Sequence, residues 1–155
     1  MTLVDSQPSF AANCRSFQVV SDRSAHIGDG LGRSLSISPT EAFAAVETMG
    51  AVLVDIRTIE ERRLGYPTGS LHIAWQVGAA LLKNPRFFRE LTSKTPVRAP
   101  VLLICRSGRR SLAAARAARA AGLAEVYDVA EGCDGVEGAP APSGWKAYGL
   151  PWTTG

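Results

Sequence analysis

The sequence is poor in the residues that mark an exported, metal-bound or membrane-crossing chain. It has three cysteines, Cys14, Cys105 and Cys133, an odd number with no close pair. A disulfide framework and a four-ligand structural zinc site both need more ligands, more closely spaced. The two histidines, His26 and His72, have no metal-ligand partner at useful spacing and read as structural. No apolar run approaches the ~18 residues of a membrane-crossing helix. The first 20 residues lack the basic, apolar, small-residue succession of a secretory signal. These absences set the expectation of a reduced, cytoplasmic protein with no metal, no organic cofactor and no membrane partner.

Lysine is scarce too, at 3 residues against 14 arginines. The net charge of +3 is too small to imply a nucleic-acid partner. The arginine skew instead directs attention to oxyanions, which the guanidinium fork suits better than an ammonium does. At 155 residues and 46% hydrophobic content, one domain with its own core is expected.

Residues 1–35 are polar and aperiodic and read as a flexible N-terminal extension, with "FQVV" at 17–20 as a short strand candidate. Gly28, Gly30 and Gly32 approximate a nucleotide loop, but Arg33 stands where a dinucleotide fingerprint needs glycine, and no P-loop lysine follows. The folded domain is expected over 36–152. Ser38, Pro39 and Glu41 form a helix start of the capping-box type, and Gly50 a stop. Apolar runs at 51–56, 70–75, 100–105 and 124–130 read as strands. Helices are expected over 58–65, over 78–91 with a break at Pro85, over 109–122, and around "GWKAYG" beyond a Gly/Pro-rich loop. Strands alternating with helices predict an α/β fold with a mainly parallel sheet, whose ligands gather beyond the carboxyl ends of the strands.

Beyond the most apolar strand stands Cys105-Arg106-Ser107-Gly108-Arg109-Arg110-Ser111. A thiol between a buried strand and a helix start faces free backbone N–H groups and the positive end of a helix dipole. Three arginines add positive potential, and each of these influences favours thiolate over thiol. Gly108 lets the loop curl so that several N–H groups converge, while Ser107 and Ser111 are small enough to keep the mouth open. The alternative is a buried structural cysteine with arginines solvated beside it. Asp55 and Arg57, with Glu60 and Glu61 near, read either as support for this loop or as a salt-bridge network fixing the next helix. Arg116 and Arg119 read as a solvated helix face, and Trp75, Trp145 and Trp152 as core or wall residues.

From about Ser36 to Trp152 the chain resembles the rhodanese-like sulfurtransferases. "CRSGRR" resembles their active-site loop. "VLVDIRTIEERRLGYPTGSLHIAW" resembles their stretch of Asp-x-Arg, a Glu pair and Gly-His-Ile-Pro-Gly, with Asp55, Arg57, Glu60, Glu61, Gly65 and Gly69 matching. "VYDVAEG" and "GWKAYGLPW" resemble the closing segment. Tyr66 departs from the usual histidine, Pro67-Thr68 replaces Ile-Pro, and the loop after Gly132 is long.

The resemblance implies a three-layer fold with a five-stranded, mainly parallel sheet and helices on both faces. It also implies a two-step transfer through a Cys105 persulfide. A small anionic sulfur donor such as thiosulfate would be bound by Arg106, Ser107, Gly108, Arg109, Arg110 and Ser111. The acceptor would be cyanide, a small thiol or a protein thiol. The same loop would serve a persulfide carrier or sensor. A cysteine phosphatase or arsenate reductase would need arginine six residues after the cysteine, where this chain has Ser111. Cys133, soon after the last long strand, is a candidate second thiol near Cys105, or a core residue under the Gly/Pro-rich loop.

Overall fold

The computed structural model describes residues 34–155; the expected extension up to residue 33 and its strand at 17–20 lie outside the described residues. In chain order the elements are β1 (Ser36–Ile37), α1 (Pro39–Met49), β2 (Val52–Asp55), α2 (Ile59–Arg63), β3 (Tyr66–Pro67) and β4 (Leu71–His72). There follow β5 (Gln76–Val77), β6 (Leu82–Lys83), α3 (Phe87–Lys94), β7 (Val101–Ile104), α4 (Arg109–Ala120), β8 (Val126–Val129) and β9 (Trp152–Thr153).

Five strands form one sheet in the order β1-β8-β7-β2-β4, every neighbouring pair parallel. Central β7 is buried at all four positions, as a sheet covered on both faces requires. The period of two then sorts side chains between two cores. Val54, Ile56, Val101, Leu103 and Val126 pack with Phe87 and Leu91 of α3 and Ala114, Ala115 and Ala118 of α4. Leu53, Leu102, Ile104, Tyr127 and Val129 pack on the other face with Ala42 and Ala45 of α1 and with Trp145. The α/β, three-layer architecture is therefore as the sequence implies.

Several local expectations are corrected. No helix occupies 78–86. Gln76–Val77 and Leu82–Lys83 pair antiparallel instead, closed by a turn with Gly78 at φ 75° and Leu81 at φ 51°. Asn84 ties this hairpin to the core by donating its backbone N–H to Trp75 O and its side chain to Ala74 O. The residue before a proline resists helix, so α3 begins only after Pro85. Around "GWKAYG" there are turns and no helix, between Gly144 and Gly149, both at positive φ. The strand expected over 70–75 shortens to Leu71–His72. At α1 only half of the capping box forms. Ser38 Oγ accepts from Glu41 N, but Glu41 Oε2 is buried without a partner among the described residues. The complete box is at α2, where Thr58 and Glu61 cap each other. No helix among the described residues is long and apolar enough to cross a membrane.

Candidate active site

β7 delivers Cys105 to the carboxyl edge of the sheet, and alternation turns its side chain toward α4, on the face of Val101 and Leu103. The chain then curls through Gly108, at φ 97°, into Arg109, the first residue of α4. A Cβ at Gly108 would sit 3.2 Å from Glu131 N as well as straining that φ. The curl aims backbone donors at the sulfur: Gly108 N lies 3.1 Å and Ser111 N 3.4 Å from Cys105 Sγ. Cys105 is 1% exposed. This is the N–H cradle that the sequence predicts.

Ser111 is not at the mouth, as expected from the sequence, but fully buried beneath the sulfur. Its Oγ lies 3.2 Å from Cys105 Sγ and 2.5 Å from Asp128 Oδ1. Asp128, in β8, points to the same face because it shares the parity of Val126. Its other oxygen accepts from Ser36 Oγ at 2.8 Å. Burial pushes this carboxyl up to about 6, against the two serine hydrogen bonds. Asp128 was missed in the sequence. Its signal was there: a carboxylate inside an otherwise apolar strand, "VYDV", needs a buried donor.

The loop after β8 braces the cradle from behind. Cys133 N donates to Cys105 O at 2.8 Å and Asp134 N to Arg106 O at 2.9 Å. Gly132 permits this crossing, since a Cβ there would lie 2.5 Å from Cys105 O. With both carbonyls held outward, the loop's N–H groups are left to face the sulfur. Cys133 itself turns away from Cys105, into the opposite core with Ile104 and Trp145. Burial drives its thiol far above the ordinary thiol range. The structure thus brings the two backbones together and sends the two side chains to different faces.

The three loop arginines separate. Arg110 gives both guanidinium nitrogens to Glu61 at 2.8 Å each, joining α4 to α2. Burial raises the Glu61 carboxyl, but Arg110 and the Thr58 backbone overcome it and hold it at about 2. Arg106 is 69% exposed and reaches Asp134 at 3.3 Å; Lys146 takes the other oxygen of Asp134 at 2.7 Å. Arg109 is exposed and makes no ion pair or side-chain hydrogen bond among the described residues. Arg106, Ser107 and Arg109 line one side of a concavity of about 510 Å³, faced by Asp134, Gly135, Val136 and Glu137.

Asp55 and Arg57 lie elsewhere. Arg57 grips Asp55 through Nε at 2.9 Å and Nη2 at 2.8 Å, and Nη2 also reaches Gly65 O. Arg62 adds a contact to Asp55 Oδ2 at 3.2 Å and ties down Ser70. His72 Nε2 meets Arg57 O at 2.8 Å. This network secures the connection from β2 to β4. On the outer surface of α4, Arg116 is exposed, but Arg119 is not merely solvated: it donates to Val126 O and Ser34 O and stacks on Tyr127.

Comparison with known proteins agrees with this architecture. The family model of the rhodanese-like domain matches residues 38–139. The senescence-associated protein DIN1 of Raphanus sativus is 28% identical over 106 residues, 67% of this chain and 58% of that protein. The chain spans about half the length of the curated relatives it matches. A crystal structure of Rv0390 from M. tuberculosis superposes with TM-score 0.66 and 34% identity, covering 77% of this chain and 97% of that one. The thiosulfate sulfurtransferase of Pseudomonas aeruginosa shares the fold, with TM-score 0.58 and 20% identity, over 77% of this chain and 20% of that one. With its parallel sheet, its strand-to-helix cysteine loop and a family match over most of the folded residues, the chain belongs to the rhodanese-like domain family.

Proposed function

We propose that this protein is a sulfurtransferase that carries a sulfane sulfur as a persulfide on Cys105. The observation that carries the reading is the cradle, two backbone N–H groups converging on a buried thiol at a helix start. Such a cradle stabilises an anionic sulfur, whether thiolate or persulfide. In the first step the Cys105 thiolate attacks the outer sulfur of thiosulfate. The sulfur–sulfur bond of the donor breaks, and sulfite leaves with its electron pair. The Cys105 persulfide anion remains. In the second step a nucleophilic acceptor, cyanide or a thiol, attacks the outer sulfur and Cys105 leaves again as thiolate.

The ion pairs refine the expected roles. With Arg110 held by Glu61 and Arg106 near Asp134, Arg109 is the loop cation left to meet an anionic donor. Gly108 and Ser111 serve through their N–H groups, Ser107 lines the entrance, and Asp55 and Arg57 hold the β2 end on which α2 and Glu61 stand. A phosphatase reading gains no support, because the guanidinium of Arg110 is turned to Glu61 and not over the loop.

Intact mass measurement after incubation with thiosulfate, or separately with mercaptopyruvate, tests the proposal. The wild type gains one sulfur atom and loses it to cyanide, and Cys105→Ser gains none while keeping its fold. A sulfur-loaded Cys105→Ser protein, or an unloaded wild type with every donor, overturns the reading.

A further inference from the structure

We propose that Cys105, Ser111 and Asp128 form a proton relay, in which the Asp128 carboxylate takes up, through Ser111, the proton that the Cys105 thiol gives up. The inference rests on the reading of Cys105 as the nucleophile. The three groups are in hydrogen-bond sequence, 3.2 Å from sulfur to hydroxyl and 2.5 Å from hydroxyl to carboxyl. They are 1%, 0% and 3% exposed, so the proton acceptor at hydrogen-bond distance from the thiol is Ser111 Oγ.

The argument turns on the single proton of the Ser111 hydroxyl. When Asp128 is ionised, Ser111 donates to it and offers the sulfur only a lone pair, which accepts the thiol proton. When Asp128 is protonated, it donates to Ser111, and the Ser111 O–H turns to the sulfur and stabilises a thiolate. The two arrangements differ by two concerted transfers. The S–H bond breaks as an O–H bond forms on Ser111, and the original Ser111 O–H bond breaks as one forms on Asp128. The pair carries one negative charge before and after, so the exchange creates no new buried charge. No oxidant, reductant or co-reactant is needed.

The surroundings of Asp128 keep it free for this role. From β1 it meets the Ser36 hydroxyl, and from β7 the apolar Leu103 as its register partner. From α4 it meets Ser111. The charged residues of that helix are engaged or exposed: Arg110 holds Glu61, Arg119 holds Val126 O and Ser34 O, and Arg109 and Arg116 face outward. No cation among the described residues pairs with Asp128, so nothing locks it as a carboxylate. Burial lifts it to about 6, toward the range in which a thiol exchanges protons. In the second transfer step the same chain works in reverse order, supplying the hydrogen bond that receives Cys105 as it leaves.

Asp128 acts on the sulfur through Ser111 and is a positioning residue, so the test must read proton coupling and not stability. The rate of Cys105 alkylation by iodoacetamide is followed on the full chain against pH, with peptide-resolved mass spectrometry to separate Cys105 from Cys14 and Cys133. The wild type shows two steps, the first with the pair singly ionised and the second with it doubly ionised. Asp128→Asn keeps the hydrogen-bond geometry but stores no proton, and shows one step. Ser111→Ala also shows one step, at least about tenfold slower at neutral pH from loss of a hydrogen bond to charged sulfur, and Ser111→Thr restores both steps. Infrared titration of the protonated carboxyl gives a second measurement on the wild type. Alkylating Cys105 shifts it, and the shift is absent in Ser111→Ala. A single step in the wild type, an unchanged profile in Asp128→Asn, or a carboxyl titration indifferent to Cys105 overturns the relay. None of these readouts needs persulfide, so a protein that alkylates as described yet accepts no sulfur refutes the sulfurtransferase and leaves the relay standing.

Discussion

Asp55 closes β2 and Asp128 lies in β8, both are buried, and both belong to the same sheet, yet their partners are opposite in kind. Asp55 accepts from two guanidinium groups, Arg57 and Arg62. Asp128 accepts only from two hydroxyls, Ser111 and Ser36. Parity sends Asp55 and Asp128 to opposite faces of the sheet, and only Asp128 lies on the face of Cys105, joined to its sulfur through Ser111. A carboxylate clasped by two fixed cations serves as an anchor. One satisfied by hydroxyls alone can gain or lose a proton without breaking an ion pair, because each hydroxyl can reverse its donation.

Substituting each aspartate by its amide breaks or sharpens this contrast. Asp55→Asn leaves the buried Arg57 and the part-buried Arg62 guanidinium groups without this anion, and the expected loss is about 3–5 kcal/mol in denaturant unfolding at neutral pH. Asp128→Asn has no such cost. The folded carboxyl titrates at about 6, above its ordinary 3.8. Its stabilisation is therefore complete below about pH 3.8 and is lost as pH rises to about 6, at most about 3 kcal/mol in all. Asp128→Asn removes that slope, which chemical denaturation across this pH range reads directly. Equal costs for the two amides at neutral pH would erase the distinction.

Glu61 is a third carboxylate of intermediate kind, part-buried and held at about 2 by Arg110. Its contribution is present above about pH 4.5 and is lost as pH falls toward 2, the reverse of Asp128. Because the pair is about a quarter exposed, Glu61→Gln is expected to cost about 1–2 kcal/mol at neutral pH and to cost nothing in strong acid. The smallest effect belongs to Ser36→Ala. It removes one donor to the Asp128 carboxylate, lifts its titration further, and costs about 1 kcal/mol above pH 6 and less below pH 4.

Much of this site is legible in the residues because it is built locally. The apolar run before Cys105, the glycine three residues on and the helix that follows place a thiol at a strand-to-helix turn by short-range rules, and the brace from residues 133 and 134 completes the cradle. The α1 start at Ser38-Pro39 and its stop at Gly50 are of the same kind. What escaped depends on distant partners. Arg110 looked like a ligand for the donor until Glu61, 49 positions earlier, took its fork. Asp128 gained meaning only from Ser111, 17 positions away. Cys133 reads from strand topology either as a second thiol near Cys105 or as a core residue, because side-chain parity, which decides the face, does not follow from topology alone; it lies in the core. The hairpin at 76–83 hid in "GAALL", an apolar run as suited to a helix, because a left-handed Leu81 has no sequence signature.

The crossing at Gly132 also sets when the site can come into being. Cys105 O and Arg106 O are held by N–H groups of residues 133 and 134, beyond both α4 and β8. During synthesis, the thiol emerges well before the segment that shapes its loop. Until β8 docks against β7 and that segment passes behind, Cys105 sits on an unbraced strand end, and bracing it requires closing the chain from 105 to 133 at a cost in loop entropy. A chain arrested before residue 134 carries Cys105 without the two hydrogen bonds that brace its loop.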